Sequence, residues 1–265
     1  MPLERDQALC LRLVPYSETS LIVSLLTREF GLLRLLAKGA YRRTRVGASK
    51  FDGGLDLLDL GEAVFTGGSE RSLGLLTEWK LLDGHLALRR GGRTIFLGQL
   101  IAELLPLLFE EHDPHPQVFD RALATIRALG GETQEEAMVA FLLDLLRESG
   151  YAPELTQCTV CGKPPTGDRV HFSLARGGIV CGRCEDLAPD RQPVEASLLR
   201  LADAIARQPR EDGVASALPR LARAQSDPLN RLLLEHLSHT LQRPIATGRY
   251  VVPSRRPGPT TPQRR

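Results

Sequence analysis

"TSLIVSLLTREFGLLRLLAKGA", residues 19–40, holds two apolar runs either side of Arg28, Glu29 and Phe30. Leucine on its own prefers helix. Regular glycine punctuation argues against one here, and Arg34 and Lys38, an even number of residues apart, would share one face of a strand. The stretch therefore reads as two short strands. Working outward, "ALCLRLVPY" (8–16), "GGLDLLDLGEAVF" (53–65) and "RSLGLLTEWK" (71–80) repeat the period of two. Five short strands within the first 80 residues predict a small closed barrel of the OB-fold type.

Beyond residue 80 the period becomes helical. Leu97, Leu100, Ile101, Leu104, Leu105 and Leu108 recur at spacings of three and four, as do Val118, Ala122, Ile126 and Leu129, and Met138, Phe141, Leu142, Leu145 and Leu146. Asp113 with Pro114 marks a helix start, and Thr133 with Glu136 a capping box. Further helices follow near 197–206, 216–224 and 227–241, the last opened by Asp227 and Pro228. Such apolar stripes are core far more often than partner grooves. The expected class is α+β: an N-terminal OB-fold β-barrel, then a mostly α-helical domain with an inserted four-cysteine zinc module. The expected divisions are 1–80 (OB-fold, nucleic-acid-binding), 81–152 (helical), 153–190 (four-cysteine zinc module), 191–248 (C-terminal helices packing on the helical domain) and 249–265 (disordered basic tail).

The inserted module is read from "CTVCGKPPTGDRVHFSLARGGIVCGRC", residues 158–184. Cys158, Cys161, Cys181 and Cys184 form two Cys-x-x-Cys knuckles across a candidate hairpin, the spacing of a structural zinc ribbon. Gly162 and Gly182 give the knuckles room to turn. A thioredoxin-like centre would open a helix in a βαβ unit, and a zinc deaminase would place His-x-Glu ahead of Pro-Cys-x-x-Cys; neither setting is present. One structural Zn2+ is therefore expected. Cys10, mid-strand, reads as a small apolar side chain.

The formal net charge is +2, and Arg249, Arg255, Arg256, Arg264 and Arg265, with no acid among residues 249–265, leave −3 for the remainder. From Phe30 to Phe51 the chain carries Arg34, Lys38, Arg42, Arg43, Arg45 and Lys50 and no acid. With Tyr41 beside them these cations make a candidate single-strand interface, with charges for phosphates and a ring for a base. The bland alternative is a solvated loop. Glu235, His236 and His239 read as ordinary helix positions, His112 and His115 as turn residues. Phosphate-loop and Gly-x-Ser-x-Gly signatures are absent, so no enzyme is expected. An opening "MPLERDQ" without a basic flank and apolar run, and no membrane-length apolar stretch, point to the cytoplasm, with no membrane and no small-molecule substrate.

In order, length and wording, "LTREFGLLRLLAKGAYRR", "LLRESGYAPELTQCTVCG" and "FSLARGGIVCGRC" resemble the bacterial RecO family of recombination mediators. The resemblance spans residues 1 to about 245, and Gly-Tyr-Ala-Pro-Glu-Leu ahead of the first knuckle is specific. It implies an N-terminal OB-fold, binding of single- and double-stranded DNA, strand annealing, and partnership with RecR and single-stranded DNA-binding protein. The family's basic stretch falls on Lys38 through Arg45, and the cysteines match its zinc-bearing members. "HTLQRPIATGRY" is less basic than the family's ending, and the Pro/Arg tail is peculiar to this chain. The acidic, Phe-ended tail of single-stranded DNA-binding protein needs an apolar pocket rimmed by cations, which places it near Arg121 and Arg127. The expected function is a non-enzymatic mediator of DNA repair associated with the nucleoid. The alternative is a zinc-ribbon adaptor whose DNA contact is incidental.

Overall fold

The computed structural model describes residues 2–40, 50–67, 73–167, 169–208, 210–211, 214–215 and 218–252. Strands β1 (Leu3–Pro15), β2 (Leu21–Thr27) and β3 (Gly31–Ala37) form an antiparallel meander. After the two-residue β4 (Phe51–Asp52), β5 (Leu60–Thr66) returns beside β1, and β6 (Gly74–Asp83) pairs antiparallel with β5 and parallel with β3. The ring β1-β2-β3-β6-β5-β1 is the OB-fold order, and closing it removes the sheet's edges. Residues 53–59, expected to begin the fourth strand, turn instead, with Gly53, Gly54 and Leu58 all at positive φ.

Alternation explains the barrel's two faces. Cys10, Val23, Leu25, Leu33, Leu35, Phe65, Leu76 and Trp79 fill its interior. Burial pushes the Cys10 thiol well above its ordinary range, so it behaves as the apolar side chain expected. Gly61 lies under Trp79, where any Cβ would collide with the indole. On the outer side Leu9, Leu11, Leu26, Leu32, Leu58 and Leu60 join the core of the helices.

A single 3-10 turn leads into α1 (Gly92–Leu108), α2 (Pro116–Ala128) and α3 (Gln134–Glu148). α2 starts at Pro116 with His115 as N-cap, two residues after the expected Pro114 start. Thr133 does cap α3 by position, yet its hydroxyl makes no capping bond and Glu136 is buried, so the expected box does not form. α3 is the central helix, buried from Glu135 through Leu146. Next come β7 (Arg169–Ser173), β8 (Gly178–Val180) and β9 (Gln192–Glu195) in one small sheet, then α4 (Ala196–Ala206) and the two-residue β10 (Arg210–Glu211) and β11 (Val214–Ala215). α5 (Arg223–Thr240) begins a turn before the expected Asp227, because the Gln225 side chain accepts from the Ala222 N–H. Pro228 sits within it.

The short α6 (Gly248–Val251) corrects the expected start of the tail. Val251 and Val252 are buried, and the Arg93 guanidinium donates to the Val251 carbonyl at 2.7 Å. The same guanidinium meets Glu135 and Asp227, each at 2.7 Å, tying α1, α3, α5 and α6 together. Burial and hydrogen bonding alone therefore draw 249–252 into the fold, and residues 253–265 lie outside the described residues.

Barrel and helices meet along a seam. Arg28, after β2, donates to both oxygens of Asp120 on α2 at 3.0 and 2.8 Å. Leu32 bridges to Glu111, and the His112 N–H donates to the Leu32 carbonyl at 3.0 Å. Gly31 has φ +71°, and a Cβ there would collide with the backbone of Asp113. Among the described residues no helix is long and apolar enough to cross a membrane.

Candidate metal centre and nucleic-acid face

The first knuckle is held by backbone pairing. The Ile179 N–H donates to the Glu154 carbonyl at 3.0 Å, and the Thr159 N–H to the Ile179 carbonyl at 2.8 Å, strapping the chain around Cys158 onto β8. Gly162, at φ +70°, closes the turn with an N–H donated to the Cys158 carbonyl at 2.8 Å. β8 then delivers Cys181, and the Cys184 N–H returns to the Cys181 carbonyl at 2.9 Å. Gly182 has no positive φ, so the second knuckle does not require it for conformation.

All four sulfurs lie within 4.8 Å of one another, none in a disulfide, and Cys161 and Cys181 are 3.8 Å apart. A tetrahedron with metal–sulfur bonds of about 2.3 Å has edges of about 3.8 Å. Burial works against ionising Cys158, but N–H groups of Cys181, Cys161 and Val160 outweigh it and bring its pKa down to about 6. Burial and the three neighbouring thiols push Cys184 up to about 12. Hydrogen bonding thus favours the thiolate at Cys158 while the neighbouring thiols hold the proton on Cys184, and a bound cation would favour releasing both. Donor set and spacing fit a metal ion, and the fourth thiolate fills the position that a catalytic metal keeps for water.

The other metal-like residues do something different. His236 is buried, its Nε2–H donates to the Tyr151 carbonyl at 2.9 Å, and its ring edge meets Phe172 at 5.9 Å. Desolvation holds its pKa below the ordinary histidine value. It packs the cysteine module onto α5, and among the described residues the cluster able to hold a metal ion does not include it.

On the barrel, Arg34 on the outer face of β3 and Lys38 just past its end are exposed, as is Lys50. Tyr41, Arg42, Arg43 and Arg45 fall outside the described residues. The Arg34 guanidinium stands 3.7 Å from Glu111, an acid from the α1–α2 connection that sequence spacing could not bring to it. Tyr16, missed in the sequence reading, is 63% exposed in the β1–β2 turn. Pro15 pairs with Leu21, which pairs with Ala37, so that ring sits at the Lys38 end of the face. A lone tyrosine in a polar turn between strands was the available signal, since that turn borders the binding face of OB-folds.

Of the two cations placed near a peptide pocket, Arg127 is exposed, whereas Arg121 is mostly buried with its Nε 2.8 Å from the buried Asp144. Arg121 is thus engaged with α3, and Arg127 stands at the surface.

Two family models cover the chain, "Recombination protein O N terminal" over residues 1–85 and "Recombination protein O C terminal" over residues 89–248. The chain belongs to the RecO family. The first match takes in the closed barrel and the second the helices with the cysteine knuckles. Among its relatives, a "DNA repair protein RecO" of Rhodopirellula baltica is 39% identical over 180 residues, 67% of this chain and 65% of that protein. One from Anaeromyxobacter dehalogenans strain 2CP-C is 32% identical over 247 residues, 91% of this chain and 92% of that protein. One from Myxococcus xanthus is 30% identical over 239 residues, 89% and 93% of the two RecO chains.

Proposed function

We propose that this chain acts in DNA repair as a non-enzymatic recombination mediator of the cytoplasmic nucleoid, binding single- and double-stranded DNA and promoting strand annealing and recombinase loading with RecR and single-stranded DNA-binding protein. The observation that carries this reading is family membership across both halves, with relatives named for DNA repair aligned over 91% of the chain. The barrel supports it with Arg34, Lys38 and Lys50 exposed around an OB-type ring. Tyr41, Arg42, Arg43 and Arg45 complete the proposed DNA face. Cys158, Cys161, Cys181 and Cys184 hold one structural Zn2+, which when bound fixes the module's shape. The acidic tail of single-stranded DNA-binding protein docks on the helices, with Arg127 as the exposed cation and Arg121, through Asp144, holding the same helix in place.

The test is a titration of single- and double-stranded oligonucleotides at several salt concentrations. Replacing Lys38, Arg42, Arg43 and Arg45 together by Ala should flatten the single-strand salt slope by roughly 0.7 per lost phosphate contact, about 3 in all. The melting temperature should hold, since exposed charges seldom exceed about 0.5 kcal/mol each. Weak wild-type binding with a shallow slope would favour the adaptor reading.

A further inference from the structure

Phe96 on α1 and Tyr250 on α6 stack with ring centroids 4.7 Å apart and planes 12° from parallel. The Arg249 guanidinium lies 4.7 Å from the Tyr250 centroid and donates to the Tyr250 hydroxyl at 2.8 Å. Tyr250 is nonetheless 51% exposed, and Arg249 is exposed beside it. A structural stack in a core has no reason to leave half of its terminal ring in water. Phe96 is fixed from below by the helical core, and Arg93, one turn earlier on α1, anchors Val251, so the platform is rigid. The nearby carboxylate of Glu103 is occupied, accepting the N–H groups of Ala246 and Thr247 at 2.7 and 2.8 Å. From His236 to the last residue the sequence carries six arginines, Arg243, Arg249, Arg255, Arg256, Arg264 and Arg265, and no acid.

From this geometry we infer a second single-strand contact, in which a nucleobase stacks on Tyr250 and Arg249 turns to a phosphate. It rests on the DNA-binding reading and deepens it. An arginine over an exposed tyrosine is a weak contact. Base stacking on an aromatic ring is the stronger one, sequence-tolerant because every base has a π face, and it leaves the guanidinium for the backbone. The rings sit near the start of α1, whereas Arg34 faces Glu111 just past its end. At 1.5 Å per residue that separation is roughly 20 Å, about six nucleotides at the stacked spacing of roughly 3.4 Å, so a long strand engages both sites and a strand of about four nucleotides only one of them.

The experiment uses the full zinc-loaded chain and labelled oligo-dT of two lengths, one of about 4 nucleotides, the lower end of a single barrel's site, and one several times longer. Tyr250→Leu, which keeps apolar cover over Phe96, should weaken long-strand binding about 5- to 150-fold with the salt slope unchanged. Short-strand affinity should remain that of wild type. Tyr250→Phe should retain the affinity, since it keeps the ring and loses only the hydroxyl that Arg249 holds. Arg249→Gln should flatten the long-strand slope by about 0.7. Wild-type long-strand affinity in a Tyr250→Leu protein of normal melting temperature overturns the inference and leaves the barrel reading standing. Loss in Tyr250→Leu of an acidic, Phe-ended peptide while oligonucleotide binding persists also overturns it, giving the platform to a peptide. A wild-type chain that binds neither oligonucleotide sinks this inference and the DNA-binding reading together.

Discussion

The barrel and the cysteine knuckles hold their shapes by opposite means. The barrel closes five strands around thirteen buried residues, Trp79 and Phe65 the largest among them. The buried cluster at the knuckles has five members, and Cys158, Cys181 and Cys184 are three of them, with Val180 and Ala188 the rest. A handful of small side chains cannot offset the conformational entropy of some thirty residues, at roughly 1–2 kcal/mol each. The lesson is that the knuckles place four sulfur donors where the barrel places a core.

The sharpest way to break this comparison is to remove the ion. Structural zinc is worth about 10–16 kcal/mol in isolated finger peptides, so chelation or Cys158→Ser should unfold the module, with hydrogen exchange rising at β7 and β8. Phe172 and Ile179 reach into the helical core, so α5 should loosen too. Trp79 is the chain's single tryptophan, and its emission should stay that of a buried indole. An emission shift on chelation would mean that the barrel depends on the metal.

The converse experiment is Trp79→Ala, expected to cost about 3–5 kcal/mol by denaturant unfolding through the cavity it leaves. Metal content should remain one ion per chain. Between the two lies Arg121→Ala, which leaves the buried Asp144 carboxylate with Arg147 at 3.3 Å and should cost about 1.5–3 kcal/mol, the range of a hydrogen bond to a charged group. If melting is unchanged while an acidic peptide is lost, Arg121 serves a partner and not the core.

The smallest effect concerns the joint between knuckles and helices. His236 is held neutral by burial, below the unfolded value of about 6.5. Its contribution is complete above that value and is lost as pH falls through the lower folded one. The acid-side decline in melting temperature of the zinc-loaded protein should therefore be shallower in His236→Gln than in wild type, a difference that separates His236 from the thiolates. Parallel curves would remove the histidine from the joint.

What was legible in the sequence follows the range of the interaction. The four cysteines sit in two local turns whose spacing declares itself, and the strands from Leu21 to Ala37 survive leucine's preference for helix because Gly31 interrupts the run and Gly39 follows it. β1 begins at Leu3, earlier than expected, because "LERDQ" carries no apolar pattern and is held by pairing with β5. Closure of β3 on β6 is a parallel contact between strands some forty residues apart, which periodicity cannot express. The misplaced helix starts have separate causes: Pro116 takes the first helical position two residues after Pro114, and the Gln225 side chain closes a turn ahead of Asp227. Arg121 looked like a rim cation because its partner lies on another helix. Tyr250 was hidden by its sequence neighbours, a short fold element read as part of a Pro/Arg tail.

Hairpin tips are where chains usually tolerate a change of length. The tip between β2 and β3 is an exception. Gly31 has the backbone of Asp113 where a side chain would be, Leu32 is bridged to Glu111, and Arg28 is clamped by Asp120. One residue inserted between Arg28 and Gly31 would therefore do more than lengthen a turn: it would slip three contacts to the helices at once. The register of the barrel against α2 is thus counted out in residues at this tip.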